Sequence, residues 1–525
     1  MQEPLRPRQE LPKTPADLLP KAPAAPQAGA GVPAGGKQVL VERFEITGNS
    51  AISGDELHQV VAPYEGKQLT LLEIYDVADL VTRYYRTHGF TVASANVPAQ
   101  KVASGTIKLE VIEGRIGKIN VEGERRYNEN FLRWNMTSLK SGEVVRDSAL
   151  ERQLLVLNDL PGYSARSVIQ PGDEYGTSDI TVQSAEKLVD AALRLNNYGR
   201  SSIGEWRTEA DLALNGLTGR GDKLEMSGVM AERGLLHYGR FRYSLPITNQ
   251  GTRVSAYFAR YDYNVDRNRL PAAFSSLDLD GEGDNFGINV LHPFIRSKNL
   301  NLYMGLGFDR TVTRQFERGT GTRSGEDIGV GVLTALVTYI HPDSSFSTAN
   351  FSFSSNFDAN TPASGKAENN AEAAKFQIDL SHFRKVYHEL SVALRATGVA
   401  SAKPLVDTER FRLGGPTSVR AFPSSELSGD DGYFLSAELQ HPLPEWKMFD
   451  TTAKVFIDHG RVFTKEYEKL GVHHTQSLTG IGFGILAHAT RYFDVDVSVS
   501  HPLGAYDSTD GEGGARVWAG FSANY

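Results

Sequence analysis

The sequence predicts a transmembrane β-barrel of sixteen antiparallel strands, preceded by two small α+β domains. From about residue 187 to residue 525, short runs of alternating apolar and polar residues follow one another with almost no helical periodicity. Because no helix is predicted there to cover a sheet, we expect these strands to close on themselves. The links between the runs alternate between very short and long, as turns and outer loops do in membrane barrels. The last run ends on an aromatic residue, Tyr525, which fits the aromatic girdle of such a barrel.

The composition limits the classes of function. The 525 residues include no cysteine, which excludes a disulfide scaffold, a thiolate metal site and a cysteine nucleophile. The formal charge of −8, from 55 basic and 63 acidic side chains, argues against a nucleic-acid-binding protein. No apolar run approaches the ~18–20 residues of a membrane helix, but a barrel strand needs only ~9–11 residues with alternate positions apolar.

Residues 1–37 are predicted to be a tail and linker. The first 36 residues hold 8 of the 23 prolines, and residues 28–36 consist of Ala, Gly, Val and Pro alone. Such a composition cannot bury enough apolar surface to order itself. The tail leaves room for one short helix around residues 15–20.

Residues 38–114 form the first predicted α+β domain, in the order strand, helix, helix, strand, strand. Ser53 with Glu56, and Thr70 with Glu73, have the spacing of capping boxes at the starts of the two helices. The final strand, Thr106–Ile112, alternates apolar and polar residues. We expect it to present an edge to which another chain can add a strand.

Residues 115–186 form the second predicted domain and repeat the first. Four glycine landmarks recur at nearly constant offsets of 75, 76, 73 and 71 residues: Gly48 and Gly123, Gly66 and Gly142, Gly89 and Gly162, Gly105 and Gly176. Chance agreement between common glycine turns is the alternative. Small drifts in the offset are what loop insertions and deletions in a duplicated domain produce.

Residues 187–525 form the predicted barrel, in which sixteen runs can be placed. They start near residues 188, 203, 221, 236, 251, 284, 300, 327, 347, 373, 388, 432, 449, 477, 491 and 514. The long links at 264–283, 312–326 and 401–431 are expected on the outer side of the membrane. Phe521 and Tyr525 are the aromatic residues of the last run. A soluble all-β protein also alternates and remains the alternative.

Several short patterns imitate catalytic or metal sites without completing them. The acidic run Asp278, Asp280, Glu282, Asp284 lacks the glutamate that closes a calcium loop, so we interpret it as an acidic outer loop. The Gly480, Gly482, Gly484 series lies within an alternating strand and opens no helix, which excludes a dinucleotide-binding loop. No Walker A motif and no nucleophile elbow is present. We therefore expect no catalytic residue, no metal and no cofactor, and a protein that is not an enzyme.

One long loop and one later strand carry the remaining signal. The loop at 401–431 contains the sequence Val419-Arg420-Ala421-Phe422. The thirteenth run reads Phe456-Ile457-Asp458-His459-Gly460, so Phe456, Asp458 and Gly460 share one face. Because a carboxylate facing lipid is costly, we expect Asp458 to face the lumen. A lumenal carboxylate opposite a loop arginine predicts a charge-assisted pair between Asp458 and Arg420.

With these two motifs in this strand order, residues 38–525 resemble the two-partner secretion transporters, the TpsB or hemolysin secretion/activation family of type V secretion. The resemblance implies two periplasmic POTRA domains, an outer-membrane barrel in a Gram-negative cell, and a sixth loop folded into the pore with Arg420 held by Asp458. It also implies export of one large, unfolded partner protein without nucleotide hydrolysis. The expected partners are therefore that secreted polypeptide, bound through the POTRA domains, and outer-membrane lipids. No nucleic acid is expected, and the chain is expected to be a monomer.

Two departures from the family pattern accompany the resemblance. Ala421 stands where the family motif has glycine, so we expect a backbone there that does not need a positive φ. The proline-rich tail also stands where several members carry a long helix that plugs the barrel.

Three other functions remain alternatives. An insertase for other outer-membrane barrels shares these motifs but usually has more POTRA domains than the two predicted here. A diffusion porin would not need about 150 residues of preceding domains. A soluble β-rich enzyme is the third alternative, and no catalytic constellation supports it.

Overall fold

In a computed structural model, the described residues are 37–102, 104–123, 126–270, 278–360, 373–444, 449–465, 474–489, 492–504, 506, 508–510 and 513–525. They divide into two compact units, one up to Glu186 and one from Lys187 to Tyr525. The predicted short helix around 15–20, with all of the predicted tail except Lys37, lies outside these residues. In the described part of the chain, no helix is both long enough and apolar enough to cross a membrane.

The first α+β domain, called the first module below, contains two helices packed on a three-stranded sheet. Its elements are β1 (Val39–Val41), β2 (Arg43–Thr47), α1 (Gly54–Val61), β3 (Lys67–Leu69), α2 (Leu71–Thr87), β4 (Ser94–Asn96) and β5 (Thr106–Ile112). The sheet order is β2-β5-β4, with β2 parallel to β5, and β1 pairs separately with β3. Thr70 and Glu73 form the predicted capping box, and Ser53 caps α1 by accepting from the amide of Glu56.

The second module has the same topology. Its elements are β6 (Arg115–Gly123), α3 (Glu129–Asn135), α4 (Asp147–Asn158), β7 (Tyr163–Pro171) and β8 (Thr177–Glu186). The sheet order is β6-β8-β7, with β6 parallel to β8 and β7 antiparallel to it. Each module has its own apolar core, built around Leu57 and Val77 in the first and around Leu154 and Ile180 in the second.

Gly48 and Gly123 occupy matching positions in the two modules. Both have positive φ, 82° and 124°; Gly48 directly follows β2, and Gly123 is the last residue of β6. A Cβ atom on Gly48 would lie 2.2 Å from the carbonyl oxygen of Val111, and one on Gly123 would lie 2.2 Å from that of Ser184. The same close approach of two backbones therefore requires glycine at the same place in both modules.

The strand Thr106–Ile112 is not an edge strand, so that prediction is wrong. It is β5, the centre of its sheet, between β2 and β4. However, β4 pairs only with Glu110–Ile112, so β5 extends beyond it. There the side-chain amide of Gln100 accepts from the Lys108 N–H (2.7 Å) and donates to the Lys108 carbonyl (2.9 Å). It thus makes the two hydrogen bonds that a residue of a neighbouring strand would make.

The described residues from Lys187 onward close into a barrel of sixteen antiparallel strands, as predicted. Its strands are β9 (Val189–Asn196), β10 (Arg207–Asn215), β11 (Lys223–Ala231), β12 (Leu236–Pro246), β13 (Arg253–Asn264), β14 (Leu279–Arg296), β15 (Leu300–Glu317), β16 (Thr322–Ile340), β17 (Phe346–Asn360), β18 (Ala374–Tyr387), β19 (Leu390–Ser401), β22 (Asp431–Pro442), β23 (Phe449–Thr464), β24 (His474–Ala489), β25 (Phe493–Pro502) and β26 (Arg516–Asn524). Two short strands, β20 (Phe411–Leu413) and β21 (Leu427–Gly429), lie in the loop between β19 and β22. The barrel closes where β26 pairs with β9.

The two faces of the barrel wall alternate along the strands. On β23, Val455 and Ile457 are about half exposed on the outer face, whereas Phe456 and Asp458, which alternate with them, are buried on the lumenal face. Outward Leu435 on β22 and Ile481 on β24 continue the same apolar surface. This surface is the lipid-facing band that the predicted alternation requires.

Two predicted loops are strands instead. Residues 312–326 form the ends of β15 and β16, which are joined by a turn at 318–321 rather than by a long loop. The acidic residues Asp280, Glu282 and Asp284 lie on β14, where Arg314 of β15 contacts the last two and Arg318 contacts the first. Pairing with these arginines lets an acidic run adopt an extended strand.

Candidate functional site

The loop that joins β19 to β22, residues 402–430, lies against the lumenal wall of the barrel; it is called the lumenal loop below. Near its start, Val406 packs on Ile328 and Val330 of β16. Further along, Leu413 approaches Gly460 of β23 closely enough that a Cβ atom there would lie 2.7 Å from the leucine. The loop therefore crosses from one part of the wall to another.

Arg420 and Asp458 form the predicted pair, and the pair is buried. Nε of Arg420 donates to Oδ2 of Asp458 at 2.8 Å, and Nη2 donates to Oδ1 at 2.9 Å. The Arg420 amide donates to the same carboxylate at 3.2 Å. The two side chains are only 5% and 0% exposed. This two-point geometry is the strongest form of an arginine–carboxylate interaction.

A second carboxylate and an aromatic ring complete the environment of Arg420. Its Nη1 donates to Oε2 of Glu438 at 2.6 Å, and its Nη2 donates to Oγ of Ser436 at 3.2 Å. The guanidinium carbon lies 3.3 Å from the centroid of the Phe456 ring. A cation over an aromatic face gains further electrostatic stabilisation when it is out of water. The Phe456 ring thus packs against the guanidinium that bonds the lumenal loop to β23.

The main chain of the loop tip is also bonded to the wall. The carbonyl of Arg420 accepts from Ser500 Oγ on β25 (2.7 Å) and from Trp518 Nε1 on β26 (2.6 Å). Including Asp458 on β23 and Glu438 on β22, the single residue Arg420 is bonded to four strands. Breaking the guanidinium contacts alone would leave the carbonyl contacts in place.

The neighbours of Arg420 form a small apolar core with the wall. Val419, Ala421 and Phe422 are buried together with Phe434, Val462 and Leu478. Phe422 also contacts the ring of Tyr506 edge to face, at 5.6 Å between centroids. Ala421 is not among the described residues with positive φ, which agrees with its replacing a glycine.

Three lumenal glycines make room for the loop. Besides Gly460, a Cβ atom on Gly480 would lie 2.4 Å from Ala421 Cβ, and one on Gly482 would lie 2.5 Å from Cζ of Phe456. The sequence analysis correctly rejected Gly480 and Gly482 as a dinucleotide-binding loop but assigned them no role. Because Gly480 and Gly482 lie on the same lumenal face of one strand, the sequence could have indicated that they make room for a segment packed against the barrel wall.

Glu426 anchors the other end of the lumenal loop and was missed by the sequence analysis. Its side chain is fully buried and accepts from the Thr509 amide (2.6 Å), the Thr509 hydroxyl (2.6 Å) and Arg200 Nη2 (3.2 Å). Burial and the nearby Glu426 carboxylate raise the pKa of Tyr506. Arg200 follows β9 and Thr509 precedes β26, so these contacts involve loops on both sides of the line where the barrel closes.

The aromatic residues predicted for the last strand lie on the outer face. Phe521 on β26 is 44% exposed and Tyr525 is 72% exposed. Strand β26 ends at Asn524, but the Tyr525 amide still donates to the carbonyl of Ala191 on β9 at 2.8 Å. These rings are separate from the Arg420 site.

Comparison with known proteins gives the context of this geometry. Residues 176–487 match the family described as haemolysin secretion/activation protein ShlB/FhaC/HecB, and residues 39–114 match the ShlB-type POTRA domain. The chain belongs to the haemolysin secretion/activation protein family. It is an outer-membrane transporter of two-partner secretion, whose POTRA region is periplasmic in this family.

Individual relatives cover nearly the whole chain. The heme/hemopexin transporter protein HuxB of Haemophilus influenzae is 25% identical over 87% of this chain and 82% of its own length. The hemolysin transporter protein ShlB of Serratia marcescens is 25% identical over 96% of this chain and 88% of its own. The structure of CdiB from Escherichia coli superposes with a TM-score of 0.75 at 20% identity, over 97% of this chain and 94% of that one. These relatives are transporters rather than enzymes.

Proposed function

We propose that the lumenal loop is the gate of the export pore, and that Arg420 and Asp458 position it both to close the pore at rest and to admit the exported chain. The observation that carries this proposal is the two-point bond between the buried guanidinium and the buried carboxylate. A sixteen-stranded barrel encloses an aqueous channel that leaks unless something fills it. A loop that crosses the lumen and bonds to four strands can fill it.

A double-mutant cycle tests the gate. Removing one partner of a buried ion pair costs ~3–5 kcal/mol, because the other charge stays buried without its counter-ion. Arg420→Ala and Asp458→Ala should each sharply reduce export of the secreted partner, and the double variant should be little worse than either single variant. Arg194→Ala is the matched control, since Arg194 on β9 faces the lumen and pairs with the Asp211 carboxylate of β10.

Retained barrel insertion must be confirmed for every variant by resistance of the folded barrel to heating in detergent. If the two single variants have mild and additive effects on export, Arg420 and Asp458 do not act as a unit. The gate proposal would then be wrong.

We further propose that the exported protein is recognised in an extended form by the periplasmic modules. Support comes from the Gln100 side chain, which satisfies both backbone groups of Lys108 where β4 stops. An incoming strand can replace these two exposed hydrogen bonds with its own at little net cost. The exported protein would therefore bind weakly. Weak binding suits a protein that must be released into the pore.

Deleting residues 38–186 should leave a folded pore that exports nothing. Within the modules, Lys108→Pro removes the amide that an added strand needs and should lower partner binding. Lys108→Gln keeps that amide and is the matched control. Equal partner binding by the two variants would place recognition elsewhere.

Residues 115–186 are proposed as a second POTRA domain, because their sheet has the order and strand directions of the first.

We also propose that the chain functions as a monomer without catalytic activity, in contact with outer-membrane lipids. The barrel closes within one chain and its outer face is apolar, which supports both the monomer and the lipid contact. Native mass spectrometry in detergent would reveal any dimer.

A further inference from the structure

Four tyrosines line the lumenal face of β12 and β13. They are Tyr238 on β12 and Tyr257, Tyr261 and Tyr263 on β13, and are called the tyrosine wall below. Phe258 and Arg260, between them on β13, are exposed on the outer face. Tyr238 and Tyr261 are directly opposite each other across the two strands. The wall therefore joins two adjacent strands.

Three of these tyrosines face glycine on the next strand. Tyr257, Tyr261 and Tyr263 are register partners of Gly287, Gly283 and Gly281 on β14. A Cβ atom on any of the three glycines would lie 2.2–2.5 Å from the ring of its partner. Each ring therefore lies over its glycine, flat against the barrel wall. The planes of Tyr261 and Tyr263 differ by only 19°.

Flat rings leave more of the lumen open than rings that project into it. From Tyr257 to Tyr263 the wall extends about 20 Å along the strand, at ~3.3 Å per residue. The Tyr257 hydroxyl donates to Oδ1 of Asp309 at 2.7 Å. Within the described part of the chain, the buried hydroxyl of Tyr238 has no hydrogen-bond partner. The wall combines a smooth aromatic surface with polar groups.

The wall lies across the lumen from the Arg420 site. In the strand order of the barrel, β13 is eight strands from β23 in the ring of sixteen, which is half of the circumference. Val406 of the lumenal loop packs on Ile328 and Val330 of β16, three strands from β13, so the loop extends toward this side of the lumen. Tyr261 is only 9% exposed in this state.

We propose that the tyrosine wall is the surface along which the exported polypeptide moves through the barrel. Tyrosine offers a large, rigid contact area with a polar end, and it loses little conformational entropy on contact. Such a surface binds many side chains and backbone amides weakly and without sequence preference. A chain in transit needs this kind of contact, because strong binding at one point would stop it. The proposal rests on export through the lumen.

Photo-crosslinking tests the wall. A benzophenone amino acid replaces Tyr261 in one full-length transporter, Thr334 on the lumenal face of β16 in a second, and outward-facing Phe258 in a third. Each of the three transporters also carries Arg420→Ala, so that the lumenal loop is released and the lumen is open to the probe. The probe is a synthetic, unstructured peptide long enough to span the barrel, added to each transporter in nanodiscs. We expect strong capture at 261, about two- to tenfold less at 334, and none at 258, because a ring contact of ~0.5–1.5 kcal/mol corresponds to that change in occupancy.

If capture at position 334 equals or exceeds capture at position 261, the proposal that the chain moves along the tyrosine wall is wrong, while export through the lumen still stands. Capture at neither lumenal position would overturn both. A purely structural role for the rings is tested by Tyr257→Ala and Tyr257→Phe, each with the crosslinker at 261. If Tyr257→Ala weakens capture and Tyr257→Phe does not, at unchanged thermal stability of the barrel, the rings contact the peptide. A loss of thermal stability with unchanged capture would show that they only cover the glycines.

Discussion

Ala421 at the tip of the lumenal loop lies directly against Gly480 of β24, where a Cβ atom on the glycine would come within 2.4 Å of the alanine Cβ. The tip therefore fits the wall only because the wall has no side chain at that point. Gly480 is also the register partner of Asp458 on β23, so this fit lies directly beside the ion pair between Arg420 and Asp458. The fit involves no charge, so it can be weakened without removing either member of the pair.

Gly480→Val should push the tip away from the wall and loosen the closed state. Overpacking at a close contact costs ~1–3 kcal/mol. We expect more frequent pore openings in single-channel recordings, with the barrel still inserted. Gly239→Ala on β12 is the matched control, because no atom lies within 4 Å of the added Cβ there. Equal opening rates in the two variants would show that the fit at Gly480 does not hold the loop.

Trp518→Phe should weaken the loop without removing any charge. The indole N–H donates to the Arg420 carbonyl at 2.6 Å, and phenylalanine keeps a ring but loses this donor. The carbonyl keeps the Ser500 hydroxyl as a donor, so the expected loss is that of one hydrogen bond, ~0.5–1.5 kcal/mol. Opening frequency should rise, and the Arg420→Ala variant should become leakier still when Trp518→Phe is added. An additive result in that double variant would confirm that carbonyl and guanidinium act separately.

Glu426→Ala should release the end of the lumenal loop from the loops around residues 200 and 509. It removes a fully buried carboxylate that accepts three hydrogen bonds. Thr509→Val removes only the hydroxyl and should have a smaller effect. Protease accessibility of the loop from outside the cell would measure the release. Identical digestion of Glu426→Ala and the parent chain would mean that the loop is held from its tip alone.

Glu113 should make the first module sensitive to acid. Burial alone would raise the pKa of Glu113, but the amides of Ala51 and Ser50 and the hydroxyls of Ser50 and Tyr85 outweigh burial and lower it below 4.5. A lowered pKa adds stability that is present above the ordinary value and is lost as pH falls through the folded-state value. The protection factor for hydrogen exchange of residues 50–52 in the full-length protein, which corrects for the intrinsic pH dependence of amide exchange, should therefore fall in acid.

Glu113→Gln should lower that protection at neutral pH and remove its dependence on acid. Asp147→Asn is the matched control, because the Asp147 carboxylate also accepts hydrogen bonds in this unit, from the amide and hydroxyl of Thr91. If the protection factors at 50–52 in the parent protein are the same at neutral and acidic pH, Glu113 is not the acid-sensitive group.

The sequence predicted the fold well where the pattern is local. Each of the sixteen predicted runs starts within five residues of its strand, because alternation along a barrel strand depends only on which face meets lipid. Arg420 and Asp458 could be paired because a lumenal aspartate needs a cation. Glu438, Ser500 and Trp518 could not, since their meeting at Arg420 depends on how the loop folds across strands distant in sequence. The misplaced edge at Thr106–Ile112 has the same origin, because strand order in a sheet leaves no mark on a single strand.

The matching contacts of Gly48 and Gly123 bear on how such a periplasmic arm can change in length. In each module a glycine lies in close contact with the backbone of the central strand, at Val111 in the first and at Ser184 in the second. Insertions between the landmarks alter the size of a module without changing this contact. A gene segment encoding one module can therefore be copied in tandem, and each copy brings with it the fixed point that its own sheet needs.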